Sequence, residues 1–306
     1  MLLRHTILPA WYSIVFLSLL TAYDLMGTHP DLAVTIWLGA LLFGAAALFA
    51  LEIIGAAIFS SGLEGEEALF LKKQASKLAG PGGYSRAERL RLLGEAGFCW
   101  LFCGLGTVIL FQHIGAQLSS RAELLVNASR IVAMSNPLLR IAAAFLLLDF
   151  CSYVRHRAEH AGGETGLLWR LVHYRHHRPD EINLWTGGVV HAAESLLVFA
   201  LPSLMFGAFG LQRWEGLFLF SLFLMITMPQ HMNSGWTSGV FGVVIHGPEA
   251  HSRHHSIDSE LRLRNFADCL TLWDRVFGTF AEVDSRVFYG RVGVSRHGFL
   301  PEHPQQ

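Results

Sequence analysis

Six apolar stretches dominate the hydrophobic pattern of the chain: Ile7–Met26, Leu32–Phe59, Gly97–Ile114, Pro137–Tyr153, Ala192–Phe209 and Glu215–Met228. A helix needs about 20 apolar residues to cross a hydrocarbon core, and each stretch approaches that length. The fifth and sixth are separated by only a short connection, and the fifth includes Pro202. The first is preceded by a single arginine, Arg4, and lacks a small-residue cleavage site, which is the pattern of a signal anchor. Beyond residue 230 the chain turns polar and punctuated, as expected of an aqueous domain with no further span. The pattern predicts an all-α integral membrane bundle of about six transmembrane helices, opening with a hairpin over residues 1–62 and a loop over 63–94.

Composition supports a membrane protein. Of the 306 residues, 52% are hydrophobic and 15% charged, against about a quarter charged in an average soluble domain. The formal net charge of −1 and the lack of a basic block exclude a nucleic-acid partner. The four cysteines form no CxxC pair and read as small buried hydrophobes. Cationic side chains orient the spans. Lys72, Lys73, Lys77, Arg86, Arg89 and Arg91 fall between the second and third stretches, against Arg121, Arg130 and Arg213 on the opposite side. By the positive-inside rule both termini, residues 155–191 and residues 231–306 are cytoplasmic. Arginine makes up nearly all of the 23 Lys and Arg residues, a bias expected of a GC-rich bacterial genome, and the expected location is then a bacterial inner membrane.

That topology gathers histidines. His156 and His160 form HxxxH at the end of the fourth stretch. His173, His176 and His177 form HxxHH, and His251, His254 and His255 repeat it. His191 opens the fifth stretch and His231 closes the sixth, so ten of the 16 histidines share one membrane face. Spacings of three and four residues put side chains on one face of a helix. Neutral imidazole is the commonest metal ligand, and ten of them suffice for two metals. Neither the Glu-x-x-His of carboxylate di-metal bundles nor the HExxH of zinc proteases occurs. An all-imidazole pair at a bilayer surface suits redox chemistry on dioxygen. A metal transporter would place its ligands in mid-membrane, and a structural membrane protein would not need ten histidines at one face.

Asp149, Tyr153, His156 and His160 lie on one stripe of a single helix. Asp149, about 10 Å deeper than His156 at 1.5 Å per residue, is expected to orient a ligand imidazole, and Glu194 is placed to do the same. His246 stands in a His-Gly-Pro turn and is expected to be dispensable.

At DFCSYVRHRAEH (149–160), HYRHHRPDEIN (173–183), HMN (231–233), HSRHH (251–255) and NFADCLTLWDRVFGTF (265–280), the chain resembles the fatty acid hydroxylase and sterol desaturase superfamily. It departs from the family's pattern at Val190 and Ala192, either side of His191, and at Ala267. The resemblance makes residues 95–306 the catalytic domain, with a helical histidine-box cap on the cytoplasmic face. It implies two iron ions held by His156, His160, His173, His176, His177, His191, His231, His251, His254 and His255, with zinc as a substitute in overexpressed protein. Asp149, Tyr153, Glu194 and Asn183 are the accompanying catalytic-site candidates. Dioxygen is the implied co-substrate and a lipid the implied substrate, hydroxylated in preference to desaturated. Electrons come from a separate ferredoxin- or cytochrome-type donor; Arg262 and Arg264 are candidates to meet it, with solvated surface charge the preferred reading of both. Trp273 and Asp274 are expected to dock the C-terminal segment. Substrate identity and oligomeric state stay open.

Overall fold

A computed structural model describes residues 2–60, 85–97, 136–179, 182–208, 211, 213–232, 235–256 and 258–282. Helix α1 (Ile7–Leu25) turns at Gly27 into α2 (Pro30–Ser60), and the two pack as a hairpin. Leu8, Trp11, Tyr12, Val15, Leu19 and Ala22 recur every three or four residues, so α1 buries one stripe and leaves Ile14 and Leu17 exposed. Helix α3 (Arg86–Gly97) follows, then α4 (Pro137–Glu159). The start of α4 is fixed by Asn136, whose Oδ1 accepts from the backbone N–H groups of Leu138 and Leu139, and by Pro137 in the first turn. The short α5 (Tyr174–His177) grows directly out of a π-helical turn over Trp169–His173.

Helices α6 (Ala192–Ala208) and α7 (Arg213–Thr227) pack on α4, and α7 also packs on α1. The Arg140–Glu215 ion pair ties α4 to the start of α7. Three described helical stretches are long and apolar enough to cross a membrane, namely Leu3–Leu25, Pro30–Phe59 and Pro137–Glu159. The expected fifth and sixth spans fold as helices of 17 and 15 residues. The second of them runs on into a 3-10 turn over Met228–His231. The expected third span (97–114), Lys72, Lys73, Lys77, Arg121 and Arg130 lie outside the described residues.

The segment after α7 carries α8 (Pro248–His254), α9 (Ser259–Arg262) and α10 (Leu272–Val276), with one isolated antiparallel bridge between Ile245 and Leu270. The described residues contain no β-strand. Asp149, in the middle of α4, docks this segment. Its carboxylate accepts from the backbone N–H of Cys269 at 2.9 Å, from that of Leu270, and from the Trp273 indole at 2.9 Å. Asp274 accepts from the N–H groups of Phe266 and Ala267, both at 2.8 Å, and from the Thr279 hydroxyl. Trp273 and Asp274 thus serve docking, as their sequence context suggests.

Candidate metal centre

Nine imidazoles converge under this cap in two groups. His156, His160, His173, His177 and His254 form the first, and His176, His231, His251 and His255 the second. Within each group one ligand-type atom per residue lies within 4.8 Å of all the others. The division follows helix geometry. Across the π-helical turn and α5 the i, i+4 pair His173 and His177 faces the first group, while His176, about 100° round the helix from His177, faces the second. The third box does the reverse: His251 and His255 face the second group and His254 the first. Each HxxHH therefore gives two rings to one group and a single ring to the other.

In the second group the four Nε2 atoms close a ring. His176 to His231 is 3.3 Å, His231 to His251 3.2 Å, His251 to His255 3.1 Å and His255 to His176 3.1 Å. The corners of a flat square with such edges stand about 2.2 Å from its centre, close to a typical metal–imidazole distance of about 2.1 Å. In the first group His173 Nε2 is 3.2 Å from His156 Nε2 and 3.0 Å from His177 Nε2.

Tautomers decide what these approaches mean. His156 Nδ1 is 2.8 Å from the Phe266 carbonyl oxygen, so Nδ1 carries the proton. His173 Nδ1 donates to Glu194 Oε1 at 2.8 Å. Both Nε2 atoms are then bare lone pairs aimed at each other, which is repulsive unless a cation lies between them. His254 Nδ1 donates to the Arg264 carbonyl at 2.9 Å and likewise presents a bare Nε2. Burial and the neighbouring rings also hold the imidazoles neutral, the form that ligates metal. Burial lowers His254 to about 3 and His231 to about 4, and it sets His173, His176, His177, His251 and His255 well below the usual range. The donor set therefore fits two metal ions.

His191 joins neither group among the described residues. Its Nδ1 accepts from the Ala193 N–H at 3.2 Å, capping the start of α6. Asp149 docks the cap, as described above. Tyr153 is buried against Phe277, with its hydroxyl 2.9 Å from Thr279 Oγ1. Asn183 Oδ1 accepts from the N–H groups of Trp185 and Thr186, fixing the turn after the second box. Arg262 is buried, donates to the Ser256 carbonyl and pairs with Glu164, so it is a brace; Arg264 is exposed.

Three residues that sequence reasoning passed over stand behind the first group. Arg155 bridges Glu159 at 2.6 Å and Asp268 at 2.9 Å. Glu159 lies 3.4 Å from His173 Nδ1, and Asp268 lies 3.6 Å from His156 Nδ1. The available signal was the acidic residue Glu159 immediately before His160 within the first histidine box. A cavity of about 310 Å³ opens beside the imidazoles, reaching His156, His173 and His231 at one end. Phe49, Leu184, Val198, Phe223 and Met228 line its apolar part. Gly187 also lines it, and a Cβ there would come within 2.8 Å of the His231 ring.

Fold and site together define a helical membrane protein with a clustered, carboxylate-backed histidine centre. Residues 141–279 match the model of the fatty acid hydroxylase family. It is similar to alkylglycerol monooxygenase of Homo sapiens, 27% identical over 150 residues covering 48% of this chain and 32% of that protein. It is also similar to ornithine lipid hydroxylase OlsE of Rhizobium tropici, 25% identical over 168 residues covering 54% of this chain and 50% of that protein. Alkylglycerol monooxygenase of Danio rerio is 28% identical over 152 residues, covering 48% and 32% respectively. The matched stretches thus span between a third and a half of these relatives' length. No solved structure matches the chain.

Proposed function

We propose that the chain is a dioxygen-dependent di-iron hydroxylase acting on a C–H bond of a membrane lipid that carries an acyl or alkyl chain. The observation that carries this reading is the approach of His156 Nε2 and His173 Nε2, both bare, at 3.2 Å beside an apolar cavity. Relatives named for alkylglycerol and ornithine lipid support the substrate class.

In this reading His156, His160, His173, His177 and His254 hold one iron, and His176, His231, His251 and His255 the other. Bound iron supplies dioxygen activation, with electrons from a separate donor protein. The chain's own residues do the positioning. Glu194 and the carbonyls of Phe266 and Arg264 fix three imidazole tautomers, a contribution that commonly matters 10- to 100-fold in metal affinity or activity. The apolar wall from Phe49 to Met228 holds the reacting carbon beside the imidazoles and keeps water away. The exposed apolar face of α1 fits an integral location in a bacterial inner membrane, with the histidines at the cytoplasmic face.

The test compares lipid extracts from a strain lacking the chain with its parent under isotopically labelled dioxygen. A hydroxylated lipid that carries the label and disappears in the deletion strain is expected. An alkene formed without label incorporation would replace hydroxylation with desaturation, and identical lipid profiles would contradict both.

A further inference from the structure

We propose that His246, which belongs to neither imidazole group, is a positioning residue for the second one, fixing His251 through a single bridging water. The inference rests on the metal-centre reading above and deepens it. His246 is fully buried at 0% exposure, and its backbone is pinned at both ends. Its N–H donates to the Cys269 carbonyl at 2.7 Å, and its carbonyl accepts from Gln230 Nε2 at 2.9 Å. The ring thus cannot swing out to solvent.

Neither ring nitrogen of His246 has a hydrogen-bond partner among the described residues. A neutral imidazole always carries one N–H, and burying it unpaired costs free energy with no return. Nδ1 lies 3.8 Å from Asp274 Oδ2, beyond hydrogen-bonding range, and that oxygen already accepts the Ala267 N–H. Nε2 is the nitrogen left for a partner on the metal-centre side, where the His251 ring lies with its centroid 5.7 Å away.

His251 has the complementary deficit. Its Nε2 is committed to the ring of four, while its Nδ1 is buried and also lacks a partner among the described residues. The first group shows what is missing, since His156, His173 and His254 each donate Nδ1–H to a carbonyl or carboxylate. Unpaired buried nitrogens on two rings whose centroids are 5.7 Å apart are the kind of pair that a buried water satisfies. The water accepts from His251 Nδ1–H and donates to His246 Nε2, which sets the His251 tautomer with Nε2 bare. His246 then carries its own proton on Nδ1, 3.8 Å from Asp274 Oδ2, where the carboxylate's charge offsets the missing hydrogen bond.

The experiment loads wild-type protein and the variants His246→Leu and His246→Gln with zinc, then follows metal release to a chelator alongside helical circular dichroism. Wild type should release two metals per chain slowly. His246→Leu should release one of the two at least 10-fold faster, leave the other unchanged and keep its helicity. His246→Gln, which retains a polar reach to the water, should recover most of the difference. Release at wild-type rates from both variants overturns the inference alone. Equal acceleration of both metals, or loss of helicity in both variants, makes His246 a packing residue and overturns it as well. Wild-type protein that binds no zinc overturns the metal-centre reading from which it starts.

Discussion

His191 and His231 occupy similar places in the sequence, each at a helix end and outside the three boxes, yet the fold uses them differently. His231 closes a turn that aims its Nε2 into the second group, 3.3 Å from His176 and 3.2 Å from His251. Gly187 makes that approach sterically feasible, because any side chain there would strike the His231 ring. His191 spends its Nδ1 on the first turn of α6. His231→Ala should therefore weaken one metal at least 10-fold. His191→Ala should keep both metals and lose only about 1 kcal/mol of capping stability. Isothermal titration with zinc checks both variants, and metal loss in His191→Ala would return that residue to the ligand set.

At the scale of elements, the centre depends on how the cap docks on α4. Asp149 collects three donors from the cap, two backbone N–H groups and the Trp273 indole. Asp149→Ala strands those buried donors at a cost of about 3 kcal/mol, enough to lower the melting temperature by roughly 10 °C. Thermal unfolding followed by circular dichroism measures this, and an unchanged melting temperature would contradict the docking role. Eight of the nine converging imidazoles were legible in the sequence because spacings of three and four residues fix their faces before any tertiary contact forms, and His231 was legible from its place at the end of an apolar stretch. The role of Asp149 was not. Its stripe points toward His156, but seven residues of helix separate them by about 10 Å, too far for a carboxylate to reach the ring. Glu159, Arg155 and Asp268 escaped notice for another reason. Their burial depends on which long-range elements meet, and Arg155 and Asp268 are 113 residues apart.

Across the whole molecule, long apolar helices hold a cavity of about 310 Å³ against a polar cap, and the imidazoles line it. Glu52, fully buried near the end of α2, accepts the Leu184 N–H and so fastens the wall of that cavity to the N-terminal hairpin. The hairpin is therefore part of the site's architecture as well as an anchor. Every functional statement about the molecule depends on the two imidazole groups holding metal. The direct measurement is metal content per chain in gently purified protein, for wild type, His173→Ala and His251→Ala. The account predicts two metals per chain in wild type, with one lost selectively from each variant, from the first group in His173→Ala and from the second in His251→Ala. Wild-type protein without stoichiometric metal, or variants that retain both ions, would contradict it.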